Sequence, residues 1–463
     1  MFYAAAFAIF AVVCTVFAFK RHPVWGLYFY MATIFVFPPG RWWGVFFGGM
    51  RWALFSALVT ALAIAFHKGK LRDKPLWLSN GAAVLLALYA AWMWLQTPLA
   101  LDVPDHLNGT VLYSKYLLAF WFVYRIADTK ESLRDVMFGH LMGCALLGVF
   151  AYTTGRDGNR LDGVGGPGID DSNTLGMYLV TGLMVGVGLV LTQKGWRRWF
   201  ALFCMALAAE GFVLANSRGS FLGLVAGGLV IMMCKAKTHR RLFWAFAAAG
   251  VVGLFSILDE HFIDRMFTIG DVTSQEEDAD TSARSRVVVA EAQLKMFADH
   301  PIGVGHRGTA VLSTKYLDPK WLTVDASGDP SSAARSSHNT FLSALVEQGI
   351  LGAILFLSLV LWIVAAGLRV RRMRGPQHDP ELATLGASIV GGLMVILVSG
   401  NTADYLLAEN QFWLLALLVS VLQMNSPESK RSGFARAAPA GQRPPAPTRT
   451  PEFARPQHQP QQR

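Results

Sequence analysis

His338 lies in Ser336-Ser337-His338-Asn339-Thr340-Phe341, where a long polar stretch gives way to a long apolar one. An imidazole at such a seam suits general-base chemistry, because its neutral form takes up a proton near neutral pH. Ser336 or Ser337 can cap a helix starting here, which puts His338 in the first turn. The positive helix end and nearby arginines then disfavour imidazolium and keep the ring neutral, as a base requires. A polar boundary residue at a membrane edge is the competing reading. Spacing alone leaves both open.

Two arginines are candidates to hold an anion. Arg218 lies in Ala215-Asn216-Ser217-Arg218-Gly219-Ser220, a turn between two apolar runs. Its planar fork suits bidentate phosphate binding, and the alternative is an interfacial arginine reaching for lipid headgroups. Arg286 belongs to an expected amphipathic helix capped by Thr281 or Ser282, with Val287, Ala290, Leu294 and Phe297 on one face and Pro301 helping to end it. A cation in the first turn gains nothing from the helix dipole, so an anionic partner would explain it. Other signals are weaker. Asp278-Ala279-Asp280 is a D-x-D pattern inside the acidic run Gln275–Asp280, which reads better as a solvated loop than as a metal site. Gly163, Gly165, Gly166 and Gly168 form a glycine-rich turn before Asp170-Asp171-Ser172-Asn173, but no P-loop lysine follows.

These residues sit in a chain built for lipid. It is 53% hydrophobic and only 16% charged over 463 residues, with a mean hydropathy of +0.38; soluble domains carry about 25% charged residues. Apolar runs recur at 2–19, 24–38, 51–66, 76–96, 111–126, 136–153, 172–192, 198–214, 220–234, 242–257, 341–368, 384–400 and 406–423. Backbone polar groups in hydrocarbon must be satisfied internally, so such runs read as helices. The expectation is an all-α polytopic membrane protein of about twelve transmembrane helices. The first run lacks a basic leader and a convincing cleavage site and is expected to be retained. Cys14, Cys144, Cys204 and Cys234 fall within or beside apolar runs, so no disulfide framework or cysteine metal cluster is indicated.

Charge orients the runs. Lys68–Lys74, Lys194–Arg198, Lys235–Arg241 and Arg369–Arg374 make alternate loops basic, which the positive-inside rule assigns to the cytoplasm. Asp170, Arg218 and the long stretch 258–337 then face outward. That stretch holds thirteen Asp/Glu against eight Lys/Arg, so its arginines do not serve a bulk basic bias. The expected division is N-terminal helices over 1–257, a large outer loop over 258–337, C-terminal helices over 338–424 and a basic tail over 425–463. The tail carries eight of the twenty prolines and seven Lys/Arg against two Glu, and is expected to be disordered and cytoplasmic. Basicity here reflects topology and tail, and says nothing for nucleic acid.

Four segments together resemble a known superfamily. Arg286 with His300-Pro301-Ile302-Gly303-Val304-Gly305 resembles the R…HP…GVG signature of the O-antigen ligase and polymerase superfamily. His338-Asn339-Thr340-Phe341-Leu342, followed by Glu347-Gln348-Gly349-Ile350-Leu351-Gly352, resembles its H-N-x-[FY]-L…E-x-G-x-x-G block. Ser217-Arg218-Gly219 and Asp171-Ser172-Asn173-Thr174-Leu175-Gly176 resemble its S-R-[GS] and D-x-N-x-[LF]-G elements. The resemblance implies a GT-C-like, metal-independent inner-membrane glycosyltransferase. Such an enzyme takes a glycan from undecaprenyl pyrophosphate and joins it to a lipid A-core hydroxyl at the periplasmic face. It further implies Arg218 and Arg286 on the pyrophosphate and His338 as base. Arg284, Asn173 and Glu347 are supporting candidates without an assigned role. His306-Arg307-Gly308 departs from the usual small or polar continuation, pointing to a different acceptor or an extra phosphate contact by Arg307.

The nearest rivals are a polymerase and a protein O-oligosaccharyltransferase of the same superfamily. A lipid-linked glycan transporter is the rival from another class. Glu210, inside an apolar run, favours it, whereas the clustering of polar residues at one face and the lack of a clear internal repeat do not.

Overall fold

The computed structural model describes residues 1–155, 161–257, 262–263, 281–324 and 333–426. Asp278, Asp280 and the tail beyond 426 lie outside them. The described chain is all-α, its one pairing of extended residues being an isolated bridge between Thr323 and Ala334. Each expected apolar run falls on helix: α1 (Phe2–Lys20), α2 (Val24–Phe35), α3 (Trp52–Phe66), α4 (Gly81–Gln96), α5 (Val103–Ile126), α6 (Lys130–Thr154), α7 (Ser172–Thr192), α8 (Gly195–Ala215), α9 (Arg218–Cys234) and α10 (Arg240–Ile257). Two outer-loop helices follow, α11 (Thr281–Asp299) and α12 (Gly308–Tyr316). The chain closes with α13 (Thr340–Val346), α14 (Gly349–Arg372), α15 (Pro380–Ser399) and α16 (Glu409–Met424).

Seven of these helices are long and apolar enough to cross a membrane. The count becomes eight if Arg218–Cys234 and Lys237–Gly253, bent by 119°, form one broken span. Large apolar side chains stay uncovered on the outer helices, Leu62 and Leu361 among them at 60% and 68% exposure. Water would penalise so much exposed apolar surface, whereas lipid accepts it. The protein is a multi-pass membrane protein.

At the centre stands α7, buried along its whole length, with α6, α8, α9 and α15 packed around it. The basic connections meet at one end. There the Lys74 ammonium donates to the carbonyls of Tyr124 and Ala127 and to Ser420 Oγ at 2.6–2.8 Å. Lys130 and Arg134 pair with Asp379 and Glu381 at that end, at 2.9 and 2.8 Å. Chain direction therefore puts the starts of α7, α9 and α16 and the end of α15 at the opposite end.

Three expectations are corrected. The run 341–368 is not one helix: it breaks at Glu347–Gly349. Gly349 has φ +67°, and a Cβ there would lie 2.2 Å from the Ile302 carbonyl. This contact is possible only because glycine accepts the left-handed region and has no side chain. Through it the amides of Val304 and Gly305 reach the Glu347 carbonyl at 3.1 and 2.9 Å, and Ile350 N reaches Pro301 O at 2.9 Å. The two motifs thus form one backbone clasp. In α11 the buried face is Ser285, Val289, Ala292, Gln293 and Met296, while Val287 and Leu294 of the expected stripe are about half exposed. The apolar pattern runs round much of this helix, and α12 and α13 select the face that carries Gln293. The helix also begins at Thr281, which puts Arg286 in its second turn.

Candidate active site

The motif segments meet on one turn, 399–405, between α15 and α16. From one side comes the start of α9. Its N-cap Ser217 receives the Ser220 amide, and Ser217 Oγ donates to Asn173 Oδ1 at 3.0 Å. Ser220 Oγ adds a bond to the Asn173 carbonyl at 3.2 Å. Asn173 is itself in the first turn of α7, whose N-cap Asp171 accepts from the amides of Asn173 and Thr174. Gly219 lets α9 approach the turn: a Cβ would stand 1.9 Å from Thr402 Oγ1, and Ser399 Oγ donates to the Gly219 carbonyl at 3.1 Å. Arg218 follows as the first helical residue, half-buried.

From the other side comes the His338 segment. Thr340 N donates to Gly400 O at 2.7 Å, Thr340 Oγ1 donates to Ala403 O at 3.0 Å, and Tyr405 N donates to Thr340 Oγ1 at 2.9 Å. His338 is half-buried and lies just outside the helix. Asn339, not Ser336 or Ser337, is the N-cap, accepting from Phe341 N and Leu342 N at 2.9 and 3.2 Å. Ser337 lies two residues before the cap: its hydroxyl donates to Asn339 O at 3.1 Å, accepts from Asn339 N at 3.3 Å, and accepts from Gln293 Nε2 at 2.9 Å. That bond ties α11 to the same place. Arg286 on α11 is close enough to Tyr405 to oppose the rise of its hydroxyl pKa, which burial first and Asp171 second push above the usual tyrosine range. Arg218 and His338 are thus carried by segments packed on a single turn, and α11, with Arg286, joins the His338 segment through Gln293. Arg284 is exposed on α11.

Beside this turn opens a cavity of about 670 Å³. Asp171, Tyr178, Ser336, Ser337, Tyr405 and Glu409 line it, and it reaches Ala53 on α3 and Leu112 and Lys115 on α5. The glycine-rich turn faces it through Gly166 and Gly168. Arg218, Arg286 and His338 are not among the lining residues; of their immediate chain neighbours only Ser337 is.

The cavity also gathers charge that the sequence reading left without a role. Glu347 is 3% exposed, and its Oε2 lies 3.4 Å from His306 Nδ1. Burial alone would lower the His306 pKa, but the Glu347 carboxylate and then Asp404 more than offset it, so the net shift is upward. Asp404 opens to the cavity but is enclosed by protein. Burial first, then the Glu347 carboxylate, push its pKa up to about 6. Arg307, in the left-handed region at φ 62°, turns outward and pairs with Asp105 at 3.3 Å. His106 Nδ1 accepts the His306 amide at 2.9 Å while its Nε2 faces Met93 O at 2.8 Å. That arrangement calls for the Nε2–H tautomer.

The Asp404 shift has a consequence for stability. Between about pH 4 and pH 6 the folded carboxyl keeps a proton that the unfolded chain has released. Stability therefore falls as pH rises through this window and stays lower above it. Asp404→Asn retains an oxygen for the Leu406 amide, which donates to Asp404 Oδ1 at 3.0 Å. The variant is expected to be more stable than wild type at pH 8 by about 1–3 kcal/mol, with the gain shrinking towards pH 5. Thermal melting in nanodiscs at both pH values checks this. A less stable variant at pH 8 would contradict it.

Residues 203–357, a third of the chain, match the family described as O-antigen ligase. The chain carries an O-antigen ligase domain. The matched stretch runs from α8 into α14 and contains Arg218, Arg286, His306, His338 and Glu347. No curated protein matches the chain. Contributors to the site outside the matched stretch include Asn173, Asp404 and Tyr405. A signal for the last two existed in sequence. Asn401-Thr402-Ala403-Asp404-Tyr405 is a polar interruption on the outward side, but its shortness resembles an ordinary helix connection. Among the described residues no group of His, Cys, Asp and Glu is arranged to hold a metal ion.

Proposed function

We propose that this protein is an O-antigen ligase of the bacterial inner membrane. It transfers a glycan from undecaprenyl pyrophosphate to a sugar hydroxyl of lipid A-core at the periplasmic face. What carries the reading is that Arg218, Arg286 and His338 all fall within the matched stretch, the first and last on segments that pack on the 399–405 turn and Arg286 on the helix bonded to the His338 segment. The helix starts at Ser172 and Arg218 add positive dipole ends near that turn.

In this reading Arg218 and Arg286 hold the two phosphates and offset the charge that grows as the glycosyl C–O bond breaks. His338 takes the proton of the acceptor hydroxyl as its oxygen forms the new bond to the anomeric carbon, and undecaprenyl pyrophosphate leaves. Direct attack from the opposite face inverts the anomeric configuration. The chemistry needs no metal, since the leaving group is already activated. About twelve helices cross the membrane, residues 258–337 form the large periplasmic loop, and the tail from 425 is cytoplasmic.

The test is a reconstituted transfer assay in EDTA with undecaprenyl-pyrophosphate glycan, with and without lipid A-core. Wild type is expected to form conjugate only when lipid A-core is present. His338→Ala is expected to lose about 10²–10⁴-fold in rate while keeping its melting temperature. Lengthened glycan without acceptor would replace the ligase by a polymerase. An unaffected His338→Ala would remove the histidine from the mechanism.

A further inference from the structure

The proposed chemistry does not use the cavity or the cluster His306, Glu347 and Asp404. The Tyr405 hydroxyl there is buried without a hydrogen-bond partner, and Glu347 Oε2 and His306 Nδ1 have only each other, at 3.4 Å. The cavity-lining residues include all three, so their unmet capacity belongs to the space they enclose. Buried polar groups left unpaired are costly, and in native proteins they mark a site completed by a ligand or by water.

The chemistry of the lining narrows the ligand. Four carboxylates, Asp171, Glu347, Asp404 and Glu409, line the cavity against one imidazole, His306, and two cations, Lys115 and Arg307. That arrangement repels a phosphate and welcomes hydroxyl donors, which carboxylates accept strongly. Around them stand the rings of Tyr30, Tyr116, Tyr178 and Phe37. A pyranose has this double character, with hydroxyls at its edge and C–H groups on its faces. At about 670 Å³ the space accommodates more than one ring.

We propose that His306, Glu347 and Asp404 form a sugar-recognition subsite that holds the hydroxyls of a pyranose in the cavity, whose lining does not include the arginines that take the pyrophosphate. This deepens the ligase reading and rests on it. Acceptor core and donor glycan offer the same chemistry, and the experiment separates them.

The probes are a lipid-free core oligosaccharide and a lipid-free O-glycan repeat, each titrated onto the protein in nanodiscs and read by saturation-transfer NMR. Wild type is expected to bind one of them. Asp404→Asn and His306→Gln are each expected to weaken that binding about ten- to a hundredfold. The same variants should raise KM for the matching lipid-linked substrate far more than they lower kcat. Ala310→Trp, which leaves the cluster intact and fills the cavity from α12, should abolish binding and serves if the cluster variants fold poorly. His338→Ala should bind the probe as wild type does. Absence of binding by either probe, unchanged binding in both cluster variants, or lost turnover at unchanged KM would each overturn the subsite. Failure of wild type to transfer glycan while probe binding follows these variants would instead sink the ligase reading and leave the sugar site standing.

Discussion

Gly349→Ala is expected to destabilise the protein by about 2–5 kcal/mol and to remove most transfer activity. Two costs combine. A non-glycine residue in the left-handed region loses about 1–2 kcal/mol. The new Cβ would also stand 2.2 Å from the Ile302 carbonyl carbon and oxygen, which are backbone and cannot swing aside. Such overpacking typically costs about 1–3 kcal/mol. Moving Ile302 away would part Val304 N and Gly305 N from the Glu347 carbonyl, shifting His306 and Glu347 together. The check is thermal melting in nanodiscs beside Gly228→Ala, where nothing lies within 4 Å of the added carbon. That control should melt at or slightly above wild type, because alanine favours helix. Equal melting of the two variants would mean the clasp is looser than its geometry.

Arg218→Ala and Arg286→Ala are each expected to slow transfer by about 10²–10³-fold, equivalent to about 2.7–4 kcal/mol of transition-state stabilisation. The double variant should fall short of the product of the two, since both arginines act on one pyrophosphate. Arg218→Lys should recover part of the rate: the charge returns, but the planar fork does not. Melting temperatures near wild type are required for the loss to belong to chemistry rather than folding; the bonds of Ser217, Ser220 and Ser399 that join α7, α9 and the 399–405 turn are present in every variant. Rates within a fewfold of wild type for either alanine variant would move the pyrophosphate to another part of the site.

The helical architecture was legible because lipid leaves a chain few alternatives, and each apolar run from Phe2 to Met424 falls on helix. The motif residues were legible as types, and the structure supplies their common support. Its position was not readable. Nothing in Ser399–Tyr405 states that Thr340, Gly219 and Tyr405 share it, because those contacts join residues 60 to 180 positions apart. The break at Gly349 was also hidden. A glycine inside a long apolar run is ordinary, and only the approach of Ile302 makes it obligatory. The true cap at Asn339 was missed for a related reason: Ser336, Ser337 and Asn339 are all capping residue types, and only the start of the helix at Thr340 tells them apart.

The cavity's reach to Ala53 on α3 and to Leu112 and Lys115 on α5 bears on how the reaction must be measured. These residues belong to helices whose outer faces are apolar, so a polyprenyl chain could remain dissolved in the bilayer while its head occupies the site. For such an enzyme the relevant donor quantity is a surface density. Diluting the donor lipid with inert phospholipid at constant bulk concentration should slow turnover, and adding more vesicles of fixed composition should not. Apparent constants in molar units would then vary with the lipid ratio of the preparation.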